Sequence, residues 1–181
     1  MSCSCSTVAV VRPRVWVGCL GCYNAGRLVG RWVDAESAAS LTSEEVHGYP
    51  SAHDELWCLD TEGFPYGTGE VSPSVASKWG ELYGEVGETL WPALVSWVES
   101  GCYVVDADEL PCVSDFEERF CGCWESETDY ANQLAEEMGV WDEVPEHLHS
   151  YVDVQKWWRD ERLDYSITEA PNGAVYIFRC C

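Results

Sequence analysis

Basic side chains are scarce: the 181 residues hold 10 Lys and Arg against 32 Asp and Glu, a formal net charge of −22. A surface this negative repels phosphates and anionic headgroups, so neither nucleic acid nor a membrane is an expected partner. Long apolar runs are missing too, with none approaching the ~18 residues that a membrane-spanning helix needs. The N-terminus shows no basic-then-apolar leader pattern, and the expected location is the cytoplasm. Catalytic signatures are also lacking. Gly67-x-Gly69 has no third glycine to make a dinucleotide fingerprint, and there is no Walker A, G-x-S-x-G or H-E-x-x-H motif. With 32 acids, close carboxylate pairs arise by chance and say nothing of acid–base work. His47 and His53 fall in a loop-like stretch and read as surface residues rather than general bases. The expectation is a protein that is not an enzyme.

What is present is aromatic. Ten Trp, nine Tyr and 46% apolar residues distinguish the chain from a disordered acidic tail, so the charge sits on a folded body. The eleven cysteines are an odd count without an export pattern, which argues against a disulfide framework. Cys19-x-x-Cys22 resembles half of a zinc ribbon without the second half. Cys3-x-Cys5 and Cys121-x-Cys123 have the wrong spacing for a tetrahedral site, and His147-x-His149 has no third ligand nearby. The expectation is no metal and no cofactor. Most cysteines read as small core residues, and the terminal Cys3, Cys5, Cys180 and Cys181 as incidental.

Charge is unevenly placed. Residues 1–33 contain no acid and four Arg (Arg12, Arg14, Arg27, Arg31). From Asp34 to Glu109 sixteen acids face Lys78 alone, and from Asp115 to Glu146 eleven face Arg119 alone. Residues 147–181 are nearly balanced, with five acids and four bases. An ordinary solvated surface mixes both signs, because i,i+4 ion pairs support helices and like charges oppose them. Here the negative potential itself is what the composition maintains.

Local patterning predicts an α+β fold in three small lobes. The first, residues 1–70, holds strands at Arg14–Leu20 and Leu28–Val33 around a Tyr23-Asn-Ala-Gly26 turn, then a helix from Asp34 to about Val46 and a strand at Leu56–Asp60. Gly63–Gly69 is a loop. The second lobe, residues 71–113, is helical. Ser74 is the expected N-cap and Trp79, Leu82, Tyr83, Val86 and Leu90 form the apolar stripe, with Pro92 in the first turn of a following helix. Glu81, Glu85 and Glu88 fall at i, i+4 and i+7 opposite that stripe, roughly 5–6 Å apart along the axis. The third lobe, residues 114–181, starts a helix at Ser126 with Tyr130, Leu134 and Met138 on one face and Gly139 as the stop. It starts another at Asp153 through Trp157, Trp158 and Leu163, and ends with an Asn172-Gly173 turn and a strand at Val175–Phe178.

Tyr23-Asn-Ala-Gly-Arg-Leu-Val-Gly-Arg-Trp-Val-Asp34 resembles the opening block of the ArdA antirestriction family, a strand and Tyr-Asn-x-Gly turn followed by Leu-x-Gly-x-Trp-x-Asp. Glu55-Leu-Trp with Asp60-Thr-Glu-Gly-Phe64 is similar to the second motif, and Phe116-Glu-Glu-Arg-Phe-Cys-Gly-Cys-Trp-Glu-Ser126 to the third. Glu143-Val-Pro145, Leu148, Tyr151 and Asp153 are similar to the C-terminal lobe, so the likeness runs from about Val15 to Arg179. The leader 1–12 has no counterpart, and Leu59 stands where members often carry His.

The resemblance implies a DNA mimic: an elongated, curved homodimer that occupies the DNA-binding channel of type I restriction–modification enzymes, on their methyltransferase core, and protects incoming mobile DNA. The same mimicry aimed at another DNA-binding target is the alternative, and an acidic enzyme a more remote one. At one charge per ~1.7 Å of duplex, 22 charges correspond to roughly 37 Å of DNA. In the first two lobes the acids expected to stand for phosphates are Asp54, Glu55, Asp60, Glu62, Glu81, Glu85, Glu88, Asp106, Asp108 and Glu109. In the third they are Asp115, Glu117, Glu118, Glu125, Glu127, Asp129, Glu136, Glu137, Asp142, Glu143 and Glu146. The uncharged segment Phe120-Cys121-Gly122-Cys123-Trp124 is the expected dimer contact, since two bodies of like charge need a neutral patch to associate.

Overall fold

The computed structural model describes residues 10–105, 110–142 and 144–180. The fold is α+β, with two three-stranded antiparallel sheets and seven α-helices among the described residues. Two compact units emerge. The N-unit takes its described residues from 10–95 and 105–113, and the C-unit from 96–104 and 114–180.

In the N-unit, β1 (Arg14–Cys19) lies between β2 (Gly30–Asp34) and β3 (Leu56–Glu62). Alternation puts Val15 and Val17 fully inside, as a half-buried strand requires. Trp16 lies on the opposite face, where Gly18 and Gly30 are paired across the strands. A Cβ on either glycine would come within 2.5 Å of the Trp16 ring, so the indole has room only because both lack a side chain. The β1–β3 register shifts between Trp16 and Val17, and Leu59 is the extra residue on β3.

The β1–β2 connection contains a short helix, α1 (Leu20–Asn24), with Tyr23 and Asn24 in its last turn. The expected reversal follows at Gly26, whose φ is 75°. The single helix expected from Asp34 is in fact two pieces. Ala35–Ser40 form a 3-10 turn, and α2 (Ser43–His47) starts afresh. The cause is a capping box at Thr42, whose hydroxyl accepts from the Glu45 amide while the Glu45 carboxylate accepts from the Thr42 amide. Next comes α3 (Pro73–Val86), capped by Ser72 with Pro73 at the first position, rather than by Ser74. Its small residues Ala76, Ser77 and Gly80 bring it against the 35–40 turn. A Cβ on Gly80 would lie 2.1 Å from the Glu36 nitrogen, and Ser77 Oγ donates to the Glu36 carbonyl at 2.8 Å. Trp91 opens α4 (Trp91–Glu99), meets Trp79 and Tyr83 edge-on, and donates its Nε1 proton to the Gly63 carbonyl at 2.9 Å.

In the C-unit, β6 (Val175–Arg179) is central between β4 (Phe120–Trp124) and β5 (Tyr165–Glu169). Around it stand α5 (Val113–Arg119), α6 (Glu127–Glu137) and α7 (Val154–Glu161). Phe116 stacks on Phe120 and meets Trp97 and Phe178 at a tilt, and Tyr130, Trp158 and Tyr165 form a second aromatic group. Ser126 and Asp153 cap α6 and α7 as expected. Two residues assigned to buried faces lie outside. Met138 is 57% exposed beyond α6, and Leu163 is 82% exposed in a 3-10 turn after α7 ends at Glu161.

Candidate functional site

The first acids of the chain neutralise its first bases. Arg12 reaches Asp34 at 3.5 Å and Glu36 at 3.4 Å, and Arg14 reaches Asp34 at 3.8 Å. Two of the four N-terminal arginines are thus matched where the acidic stretch begins.

Beyond that point the N-unit acids face solvent. Asp54 and Glu55 are exposed just before β3, and Asp60 and Glu62 are exposed on β3 itself. At a period of two they share one side of an edge strand, about 6–7 Å apart. Asp60 also accepts from the Thr61 amide at 2.9 Å. Glu81 and Glu85 are exposed on α3, one turn apart. Glu88 does not continue that row. The helix ends at Val86 because Gly87 takes a φ of 81°, so Glu88 is exposed in the turn that follows and the i+7 spacing is not helical. Asp106, Asp108 and Glu109 lie outside the described residues, as does Glu143.

In the C-unit, Glu117 and Glu118 are exposed on α5, Glu125 follows β4, and Glu136 and Glu137 are exposed at the end of α6. Asp142 and Glu146 are exposed beyond it. Glu137 accepts from Gln133 at 2.8 Å, and Asp129 from Ser126 Oγ. Two of the expected acids also serve the fold. Glu127 is half-buried, accepting from Trp158 Nε1 at 2.7 Å and pairing with Arg162 at 2.6 Å, and Asp115 faces Arg119 one turn along α5 at 3.9 Å. Among the described residues, Glu81, Glu85, Glu117, Glu118, Glu125, Glu136 and Glu146 have no basic partner.

The segment expected to make the dimer contact is strand β4, half-buried throughout and at the sheet's edge. Phe120 faces Phe116, Phe178 and Tyr176, and Trp124 faces Tyr130, so both rings pack within their own unit. The outer edge of β4 has no strand partner among the described residues. Sequence reasoning missed β4 and β5 as strands. The β4 signal is masked by a bulge at Cys121, with Gly122 at φ 111°.

Two open grooves of about 400 Å³ flank Arg14 and Trp32, one bordered by Asp34 and Glu45 and the other by Asp60 and Glu62. Neither contains an imidazole or thiol that would work with a hydroxyl as a base–nucleophile pair. Glu45 sits below the ordinary carboxylate range because the Thr42 amide, and then its hydroxyl, donate to it. The one group of metal-binding side chains found among the described residues is Cys19, Cys22 and His47.

A comparison with curated proteins returns no match. Comparison with family models matches one described as antirestriction protein (ArdA), over residues 15–176. That match spans nearly the whole chain, from β1 into β6, and takes in both units with most of their exposed carboxylates. By that match the chain belongs to the ArdA family of antirestriction proteins.

Proposed function

We propose that the protein acts as a DNA mimic, its exposed carboxylates occupying the DNA-binding channel of a type I restriction–modification enzyme at the methyltransferase core. The observation that carries this is the imbalance between Asp34 and Glu146, where 27 acids face two bases and most described acids point to solvent without a basic partner. A DNA channel draws much of its affinity from Lys and Arg contacts to phosphate and from counterion release. Carboxylates at similar spacing take up those contacts. Offering no base edges, they are indifferent to the sequence the enzyme reads.

The working unit in this reading is a homodimer, because two copies extend the negative ridge along a long channel. The uncharged β4 edge, from Phe120 through Cys121 and Cys123 to Trp124, is the contact we assign to it. Affinity is then a sum over many weak pairs. Glu85→Gln or Asp129→Asn each costs at most about 1 kcal/mol, as for partly exposed ion pairs, while neutralising Glu81, Glu85 and Glu88 together costs more. The test is inhibition of a purified type I enzyme with duplex DNA as competitor. Inhibition relieved by excess duplex supports the reading. Inhibition that duplex leaves unchanged, or that one such substitution abolishes, overturns it.

A further inference from the structure

The expectation of no metal rested on the missing second pair of cysteines, and the fold brings imidazoles to that place instead. Cys19 ends β1 and caps α1, Cys22 lies within α1, and both are buried. The Cys22 amide donates to Cys19 Sγ at 3.4 Å, a contact that favours a thiolate. His47 stands in the last turn of α2, and the ligand atoms of Cys19, Cys22 and His47 lie within 4.8 Å of one another. Both ring nitrogens of His47 are shielded from solvent and have no hydrogen-bond partner. A native fold rarely leaves such a group unsatisfied, and a bound cation would take one of the two nitrogens.

A fourth donor is close by. His53 Nδ1 lies 3.6 Å from Cys22 Sγ, and its ring meets that of His47 edge-on at 6.3 Å. Its backbone is held from both sides, its carbonyl accepting from Ser43 Oγ and its amide donating to Ser51 Oγ. Its ring also fills the space beside Gly21, where a Cβ would approach to 2.9 Å.

We propose that Cys19, Cys22, His47 and His53 bind one zinc ion through two thiolates and two imidazoles. The spacing Cys-x2-Cys with His-x5-His falls within that of structural Cys2His2 sites. Zn–S bonds of ~2.3 Å and Zn–N bonds of ~2.0 Å set donor separations of roughly 3.3–3.8 Å, so the Cys19, Cys22 and His47 donors, within 4.8 Å of one another, close by about 1.5 Å at most and His53 turns in beside Cys22. Thiolate and imidazole together select zinc over magnesium or calcium. Burial, and then the neighbouring Cys19, push the Cys22 thiol above its ordinary value, while Arg27, 3.7 Å from the sulfur, opposes this. A divalent cation between the two sulfurs removes that penalty. Four protein ligands leave no open position for chemistry. The ion therefore acts as a crosslink that ties the end of β1, α2 and the segment before β3 together.

The test uses the full chain, reduced and stripped by chelator, titrated with Co²⁺ and then Zn²⁺. One equivalent of cobalt should give tetrahedral d–d bands with thiolate charge transfer, and one equivalent of zinc should bleach them. Cys22→Ser should abolish the signal, and Cys123→Ser should keep it. His53→Gln, at an exposed loop position, should leave the far-UV circular dichroism of the metal-free chain unchanged and weaken cobalt binding at least tenfold. The same variant should lose the zinc-dependent rise in Tm. Absence of stoichiometric cobalt uptake, cobalt without thiolate charge transfer, or full affinity in His53→Gln overturns the site. Antirestriction activity is not the readout, so failure here leaves the DNA-mimic reading intact.

Discussion

In the N-unit the sheet packs Val15, Val17 and Cys58 against Ala38, Val46 and Ala76, whereas the C-unit sheet packs Ile177 against Tyr130, Ala131, Leu134 and Trp158. In the N-unit small side chains let the sheet, the 35–40 turn and α3 approach closely, as Gly80 does over Glu36, and the rings of Trp79, Tyr83 and Trp91 pack beyond α3 rather than on the sheet. In the C-unit large rings pack on the sheet itself and stabilise it by the area each one buries. Outside, both units carry exposed acids with few basic partners. The lesson is that the negative surface does not depend on one kind of core. It is carried by strand edges, helix faces and turns alike.

The largest expected effect tests the aromatic half of that contrast. Phe178 is fully buried and touches Phe116, Phe120 and Tyr176. Phe178→Ala should cost about 3–5 kcal/mol in urea unfolding, against about 2 kcal/mol for Val17→Ala in the N-unit. Equal losses would break the comparison. Gly80→Ala sharpens the other half. On an open helix face the change would gain about 1 kcal/mol, but the Glu36 backbone stands in the way, so a loss of about 1–3 kcal/mol is expected. A rise in Tm would contradict the close approach.

Thr42→Ala should remove about 1 kcal/mol by opening the capping box. The carboxylate of Glu45 is held below its ordinary value in the folded chain, so its contribution is present at neutral pH. It is lost as pH falls through that lowered value. Thermal melts between neutral and acid pH should therefore show a shallower acid loss in Thr42→Ala than in the parent chain. The smallest effect is expected from Arg12→Gln. Its pairs with Asp34 and Glu36 are about half-exposed, so the loss should stay below about 1 kcal/mol and shrink further in high salt.

Strands with clear alternation were legible in the sequence, as in β1, β3 and β6, and so were helix starts with an oxygen-bearing cap, such as Ser126 and Asp153. The Asp34–Val46 break was not, because the periodicity runs on through Leu41 and the deciding contact is the Thr42–Glu45 pair. β4 was hidden by its bulge, and β5 has only five residues beside a 3-10 turn. Among the candidate site residues, exposure of the acids followed from composition alone. The structural duty of Glu127 did not, since its partners Trp158 and Arg162 lie 31 and 35 residues away. The pairing of Cys19-x2-Cys22 with His47 and His53 was likewise invisible, because it depends on how α2 returns to the end of β1.

The most direct test of DNA mimicry is the salt dependence of binding to a purified type I methyltransferase core. If many exposed carboxylates replace phosphates, log K should fall steeply and linearly with log salt over roughly 50–300 mM, with a slope near that of duplex DNA on the same enzyme. A dissociation constant that stays flat across that range would contradict the central claim.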